Sequence, residues 1–217
     1  MNKIAAISLI FMGMILFASC THANPVQYSQ EKTAMTGQKL DTATFGTGCF
    51  WCTEALFEQL DGVTSVESGF SGGHVKNPSY REVCTGNTGH AEVCQVVYDP
   101  SVVSYVDLLE VFWKTHDPTT LNRQGEDVGT QYRSAIFYHN EEQKALAEEM
   151  KAKLHKAGIW KDPIVTEIVP YKVFYKAEDY HQGYYDQNSS QPYCRAVITP
   201  KLEKFRKVFA DKLKKAN

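Results

Sequence analysis

The 217-residue sequence has no apolar run long enough to cross a membrane, no strong charge imbalance and no internal repeat. Its N-terminal apolar stretch, residues 4–18, has fifteen residues, whereas a membrane-spanning helix needs about twenty. Lys and Arg number 23 against 25 Asp and Glu, and no basic stripe is interleaved with aromatic residues, so a nucleic-acid partner is not expected. With 43% hydrophobic residues, the chain is typical of one ordinary globular domain.

The N-terminus has the composition of a secretory signal, because Lys3 precedes the apolar run. The run ends in LFASC, which resembles the lipobox of bacterial lipoproteins, although the leucine expected three residues before Cys20 is Phe17. We expect residues 1–19 to be a signal peptide, Cys20 to be lipidated, and the protein to be exported to the periplasm or cell envelope. Ordinary cleavage after Ala23 is the alternative, and it also exports the protein.

The segment after the signal is polar and lacks apolar periodicity, so we expect residues 20–40 to be a flexible tether and 41–217 a single folded domain. Apolar periodicity predicts the element order βαββαβ followed by αβ. We interpret this order as an α+β fold, a two-layer ferredoxin-like (split βαβ) sandwich with a helical C-terminal extension. The predicted strands are 43–47, 63–70, 91–98, 132–138 and 164–169, and the predicted helices are 50–60, 104–115, 141–157, 177–187 and 200–215.

The cysteines do not have the spacing of a disulfide framework. Five remain once Cys20 is assigned to a lipid, at irregular positions in a chain long enough to bury a sizeable core. In an oxidising compartment, an odd number of thiols indicates redox chemistry. The five are Cys49, Cys52, Cys84, Cys94 and Cys194.

Cys49 lies where a predicted strand passes into a predicted helix. Unpaired N–H groups and the macrodipole favour a thiolate at a helix N-terminus, which makes Cys49 a candidate nucleophile. The alternative is a buried, inert cysteine beside core aromatics. Cys49 and Cys52 also form a CxxC, which suits a thiol–disulfide oxidoreductase. Structural zinc is rejected, since Cys84 and Cys94 do not supply a second close pair.

Several unusual segments occur in a fixed order: GCFWCTE (48–54), NPSYREVC (77–84), GNTGHAE (86–92), HDPT (116–119), NRQG (122–125), GTQYRS (129–134) and QPYC (191–194). Over residues 45–209 the chain resembles the peptide methionine sulfoxide reductase A family. The resemblance implies reduction of the S epimer of methionine sulfoxide, free or in exposed protein segments. It also implies a thioredoxin-like reductant and no bound cofactor. We expect a monomer that reaches a membrane only through its lipid anchor.

The resemblance implies a nucleophile, an acid and hydrogen-bond donors. Cys49 matches the nucleophile, and the phenols of Tyr80 and Tyr132 match donors to the sulfoxide oxygen. Glu92 matches the general acid, and the residues agree, because burial at the start of a strand would keep its carboxyl protonated. Asp127 matches an acid that orders this network through water, although a turn-forming role remains open.

Further matches concern the substrate pocket and the second thiol. Phe50 and Trp51 match the apolar pocket for the substrate methyl group, and Glu54 is assigned a structural role. QPYC matches the segment of the usual resolving thiol, which favours Cys194, whereas Cys52 replaces a commoner glycine and is already placed for a disulfide with Cys49. Cys194 is expected in a mobile segment outside the regular elements.

A metal site is not expected, because the histidines lack HxxxH or HxH spacing with carboxylates. Those near the matched segments are His74, His90, His116 and His181. Two other functions remain open beside the reductase: a thiol–disulfide oxidoreductase built on the CxxC, and a non-catalytic, lipid-anchored peptide-binding protein.

Overall fold

The computed structural model describes residues 39–215. The predicted signal peptide (1–19), Cys20 and the tether up to residue 38 lie outside the described residues. Within 39–215, none of the helices has both the length and the hydropathy to cross a membrane.

A six-stranded sheet forms the centre of the domain, with strand order β7-β6-β1-β3-β2-β8. Neighbouring strands are antiparallel except for the parallel pair β6 and β7. Strands β4 and β5 form a separate hairpin. The strands are β1 (Asp41–Thr47), β2 (Val63–Ser71), β3 (Ala91–Tyr98), β4 (Arg123–Gln124), β5 (Asp127–Val128), β6 (Ser134–Tyr138), β7 (Glu167–Pro170) and β8 (Tyr175–Lys176).

Six α-helices accompany the sheet: α1 (Phe50–Phe57), α2 (Tyr80–Val83), α3 (Tyr105–Thr115), α4 (Glu141–Lys156), α5 (Tyr184–Asn188) and α6 (Thr199–Val208). Single 3₁₀ turns lie at Thr130–Tyr132, Asp179–His181 and Ala210–Lys212, and a π-helical turn spans Cys194–Ile198. Helix α3 begins with a complete capping box between Ser104 and Asp107, residue types that favour this arrangement at a helix start.

The main core lies between the helices and one face of the sheet. Phe45 of β1 is fully buried, and its ring contacts Phe57 of α1 and Phe112 of α3, with centroids 5.4 and 5.3 Å away. A smaller cluster covers the opposite face, where Ala91, Val93, Ala135 and Phe137 contact Val169, Tyr171 and Phe174. Alternate side chains of the central strands therefore pack into two apolar layers of unequal size, one on each face of the sheet.

The mixed α and β architecture is confirmed, and the structure corrects several details. The predicted helix 177–187 is wrong: Gly183, with a φ of 57°, separates a 3₁₀ turn from the short helix α5. The predicted helix 200–215 ends at Val208. The segment of Cys194 is also not outside the regular elements, because its π-helical turn leads directly into α6.

The turn between β1 and α1 depends on Gly48, which has a φ of +98°. A Cβ at this position would lie 2.6 Å from the Gln124 Cβ. Gln124 cannot easily move, because its side chain accepts from Asp117 N at 3.1 Å and donates to Asp117 O at 3.0 Å. The position of the following residue, Cys49, therefore depends on the absence of a side chain at 48.

Gly48→Ala should destabilise the domain by about 3 kcal/mol, because strain from a positive φ and a steric clash act together. Gly158→Ala is the matched control: its φ is +62°, with nothing within 4 Å of an added Cβ. That control should lose about 1 kcal/mol. Urea denaturation of both variants measures the difference, and equal losses would contradict this role for Gly48.

Candidate active site

Two cysteines lie at the start of α1. Cys49 is the N-cap residue, and both Cys49 and Cys52 are buried, with 8% and 3% of their surface exposed. Burial raises the pKa of the Cys49 thiol well above its usual range, whereas the pKa of Cys52 falls to about 7 because it accepts a hydrogen bond from Cys49. The sequence predicts a lowered pKa at Cys49 itself, but a helix start does not reveal this burial. The hydrogen-bonded pair carries one negative charge above about pH 7 and keeps one proton.

The carboxyl group of Glu92 lies at the same helix start. Glu92 is the second residue of β3 and only 1% exposed, and its Oε2 accepts a hydrogen bond of 3.0 Å from the Phe50 N–H. Burial raises the pKa of this carboxyl to about 8, and the nearby charges of Asp127 and Cys52 act in the same direction. Glu92 is therefore mostly protonated at neutral pH and can donate a proton.

Two tyrosines beside Glu92 supply further donors. Tyr80 begins α2, and Tyr132 ends the 3₁₀ turn Thr130–Tyr132 rather than lying in the predicted strand. Burial is the main cause of a raised pKa in both phenols, and the charge of Glu92 contributes to each shift. Both hydroxyls therefore keep their protons and remain hydrogen-bond donors.

Tyr193 connects the cysteine pair to Asp127, a function that the sequence did not assign to it. Its hydroxyl donates to Asp127 Oδ2 at 2.8 Å, lies 4.0 Å from Cys52 Sγ, and is within hydrogen-bond reach of Cys49. The β4–β5 hairpin places Asp127 opposite this hydroxyl. The position of Tyr193 within QPYC was the available sequence signal.

A cleft of about 370 Å³ opens beside the cysteine pair, and its lining includes Cys49, Cys52, Asp127 and Tyr193 but not Glu92. Cys194 does not line it, because its side chain is fully buried in the core. All five cysteines within the described range are free. The structure therefore brings Cys52 into contact with Cys49, and the use of Cys194 stays a prediction.

An aromatic wall stands beside the helix start. Trp51 stacks on Tyr184, with ring centroids 3.6 Å apart, and its indole N–H donates to His181 Nδ1 at 3.1 Å. Phe50 is only 1% exposed and lies between the rings of Phe70 and Tyr80. Of the two predicted pocket residues, Trp51 is thus the more accessible, and Phe50 forms the interior side of the wall.

A sulfur nucleophile, a protonated carboxyl and two phenols suit the reduction of a sulfur–oxygen bond, and comparisons with known proteins agree. The family model for peptide methionine sulfoxide reductase matches residues 41–213. The chain belongs to this family. It is 58% identical over 175 residues to "Peptide methionine sulfoxide reductase MsrA" of Saccharolobus solfataricus, covering 81% of this chain and 98% of that protein.

Solved structures of the family have the same fold. The reduced form of Mxr1 from Saccharomyces cerevisiae is 38% identical with a TM-score of 0.67, over 72% of this chain and 90% of that chain. Methionine sulfoxide reductase A of Corynebacterium diphtheriae is 41% identical with a TM-score of 0.62, over 69% of this chain and 75% of that chain.

Glu54 supports the helix that carries the cysteines. It is 2% exposed, and its carboxyl interacts with the backbone at Gly183 and Tyr184 and with the Ser68 side chain. These contacts tie α1 to the start of α5 and to β2. Burial raises the pKa of Glu54 to about 7.

Across residues 39–215, no group of three or more His, Cys, Asp or Glu side chains could hold a metal ion.

Tyr193→Phe should slow alkylation of the cysteine pair by iodoacetamide at pH 7 by about threefold to tenfold, because the variant lacks the phenol O–H, which can turn from Asp127 Oδ2 towards the thiolate and stabilise its charge. The pH at which alkylation reaches half its maximum should rise. Tyr184→Phe is the control, since it keeps the ring that stacks on Trp51 and removes a hydroxyl away from the thiols. The same profile in wild type and Tyr193→Phe would contradict this role.

Proposed function

We propose that the protein reduces the S epimer of methionine sulfoxide, free or in polypeptides, with Cys49 as the nucleophile. One observation carries this proposal: a buried carboxyl with a pKa near 8, that of Glu92, bonds to the first turn of the helix that begins at the cysteine pair. Between about pH 7 and 8 the Cys52 thiolate, which can accept the proton of Cys49, coexists with the protonated Glu92 carboxyl, as the reaction requires.

The chemical step moves one oxygen atom. The Cys49 proton passes to the Cys52 thiolate, and the Cys49 sulfur forms a bond to the sulfoxide sulfur while Glu92 gives its proton to the sulfoxide oxygen. The phenols of Tyr80 and Tyr132 donate hydrogen bonds to that oxygen. The hydroxyl then moves to Cys49: the sulfur–oxygen bond of the substrate and the new sulfur–sulfur bond both break, a bond between the oxygen and Cys49 forms, and methionine leaves with Cys49 as a sulfenic acid. The substrate sulfur gains two electrons and Cys49 loses two.

The indole of Trp51 forms the accessible face of a pocket for the methyl group of the substrate. Aromatic faces attract polarisable methyl–sulfur groups, so the pocket favours a sulfoxide that carries a methyl group over one that carries a polar substituent. The stacking of Trp51 on Tyr184 and its hydrogen bond to His181 hold the ring in one orientation. Asp127 orients Tyr193 by accepting the hydrogen bond of its hydroxyl.

The sulfenic acid must then be resolved. Cys52 is in contact with Cys49, so its attack releases water and forms a disulfide between the two without a large movement. Cys194 is fully buried, and its π-helical turn would have to open before it could react. The sequence favours Cys194 as the first resolving thiol; on these contacts we propose the opposite order, with Cys52 first and Cys194 second. A thioredoxin-like dithiol reduces the final disulfide and supplies the electrons for the next turnover.

The CxxC also supports a second candidate function, thiol–disulfide exchange, because Cys49 and Cys52 are in contact. One assay separates the candidates: the purified protein with dithiothreitol and a peptide containing both sulfoxide epimers, with the products resolved by epimer. Loss of the S epimer alone supports the reductase. Disulfide exchange without sulfoxide loss supports the second candidate. The absence of both activities would favour a peptide-binding protein.

We infer that the domain is a two-layer ferredoxin-like sandwich. The four strands β6-β1-β3-β2 form the split βαβ arrangement of a ferredoxin-like sandwich, in which β3 lies between the parallel strands β1 and β2. Antiparallel pairing of β3 with both neighbours supports this, as does the position of the helices α1 and α3 on one face. Strands β7 and β8 extend the sheet at its two edges.

Glu92→Gln should slow single-turnover reduction by roughly 10²- to 10⁴-fold, because an amide cannot donate a proton in place of the carboxylic acid. In the wild type the single-turnover rate should fall as the pH rises through about 8, since Glu92 loses its proton there. Glu54→Gln is the control: its single-turnover rate should still fall as the pH rises through about 8. Wild-type rates in Glu92→Gln would exclude it as the acid.

Cys52→Ser and Cys194→Ser should both complete one turnover and form methionine. The variant that lacks the first resolving thiol should accumulate a sulfenic acid that dimedone traps, and it should lose recycling by thioredoxin. We expect this result for Cys52→Ser. Trapping in Cys194→Ser alone would reverse the order, and Cys84→Ser is the control for an exposed thiol.

We further propose that the protein is an exported monomer attached to a membrane through Cys20, on the strength of Lys3, the apolar residues 4–18 and the LFASC segment. Cys20→Ser should release the protein from the membrane fraction without changing its specific activity, because the lipid has no attachment point. Cell fractionation measures this release. Continued membrane association of Cys20→Ser would contradict lipidation, and a change at Ser19 to Thr serves as the control.

A further inference from the structure

Helix α6 carries a second groove away from the catalytic cleft. Val197 and Lys201 line the cleft, and Lys201 also lines a neighbouring groove of about 320 Å³ between α6 and the end of α3. Lys201, Lys204 and Val208 are spaced three and four residues apart, so they lie on one face of the helix. The cleft and the groove therefore meet at Lys201.

The groove is apolar at its base and positively charged at its rim. Phe205 and Phe209 form the base, with ring centroids 5.0 Å apart and only 2% of each residue exposed, while Val208 is 49% exposed. Lys201 and Lys204 form no ion pair or hydrogen bond with an acidic side chain within residues 39–215. A third rim lysine, Lys114, is already paired with a glutamate of its own helix.

The dimensions of the groove suit an extended polypeptide. Seven residues separate Lys201 from Val208, a length of about 10 Å along the helix, which corresponds to about three residues of extended chain. Glu126 and Asp127 line the catalytic cleft together with Lys201. Where a bound polypeptide runs from the cleft into the groove, its acidic side chains are repelled by Glu126 and Asp127 and attracted by Lys201 and Lys204.

We propose that this groove binds the polypeptide segment that flanks the oxidised methionine, and that it selects segments with an acidic and an apolar residue within about four positions. The proposal rests on the proposed reductase function and names the class of its protein substrates. A folded reductant is a poorer fit, because a stable protein–protein contact covers about 800 Å² per partner rather than a groove of this size.

The test compares peptides with a central methionine sulfoxide and an Asp-Leu pair three and four residues away, on the N-terminal or the C-terminal side. Matched peptides carry Lys-Leu instead. We expect one Asp-Leu peptide to have a kcat/KM about threefold to tenfold higher than its Lys-Leu partner. The difference should come from a lower KM, with kcat unchanged. Lys204→Glu should abolish or reverse this preference, whereas Lys207→Glu, an exposed change that does not line the groove, should preserve it.

Free methionine sulfoxide reports on the reductase itself, since it is too short to reach the groove. Equal kcat/KM for the acidic and basic peptides, together with reduction of free methionine sulfoxide, would overturn the groove assignment alone. Equal effects of the Lys204 and Lys207 changes would also overturn it, as would a Lys204→Glu effect confined to the KM for thioredoxin. Absence of any sulfoxide reduction in the wild type would overturn both the proposed function and this inference.

Discussion

The hydrogen bond from the Phe50 N–H to the Glu92 carboxyl is the contact on which the site depends. It joins the first turn of α1 to β3, so the cysteine pair and the Glu92 carboxyl stay close together while the sheet is intact. Strand β1 pairs with β3 up to Phe45 opposite Cys94, and this register brings Glu92 beside the end of β1. The turn at Gly48 then directs the chain into the helix that begins at the cysteine pair.

Burial controls the chemistry of this contact. Burial of Glu92 disfavours its charged form, so this carboxyl near the start of β3 is mostly protonated at neutral pH. The same burial would also suppress ionisation of both thiols. Their mutual hydrogen bond, the hydroxyl of Tyr193 and the charge of Lys201 offset it at Cys52, whose pKa is about 7. The protonated Glu92 carboxyl and the Cys52 thiolate can therefore lie at the same helix start without a proton passing between them.

Long periodic elements were predictable because their side-chain pattern and their caps are local. The capping box of α3, the central strands and the order βαββαβ are examples. Short elements were not predictable in this way. Helix α2 has a local capping box between Ser79 and Glu82, but with only four residues it also relies on tertiary contacts, such as the hydrogen bond from Tyr80 N–H to Glu178 Oε1. Gly183 interrupts the predicted helix 177–187 because it adopts a left-handed conformation, with a φ of 57°.

The sequence by itself determined the family, the candidate nucleophile and the candidate acid, because these depend on residue types in fixed motifs. Only the tertiary structure decided how protons are distributed among them, since pKa values depend on burial and on groups that are distant in the chain. Asp127 and Tyr193 are separated by 66 positions yet form a 2.8 Å hydrogen bond beside the thiols. The packing also buried Cys194 and left Cys52 in contact with Cys49, because solvent access and sulfur contacts arise only when the helices close over the sheet.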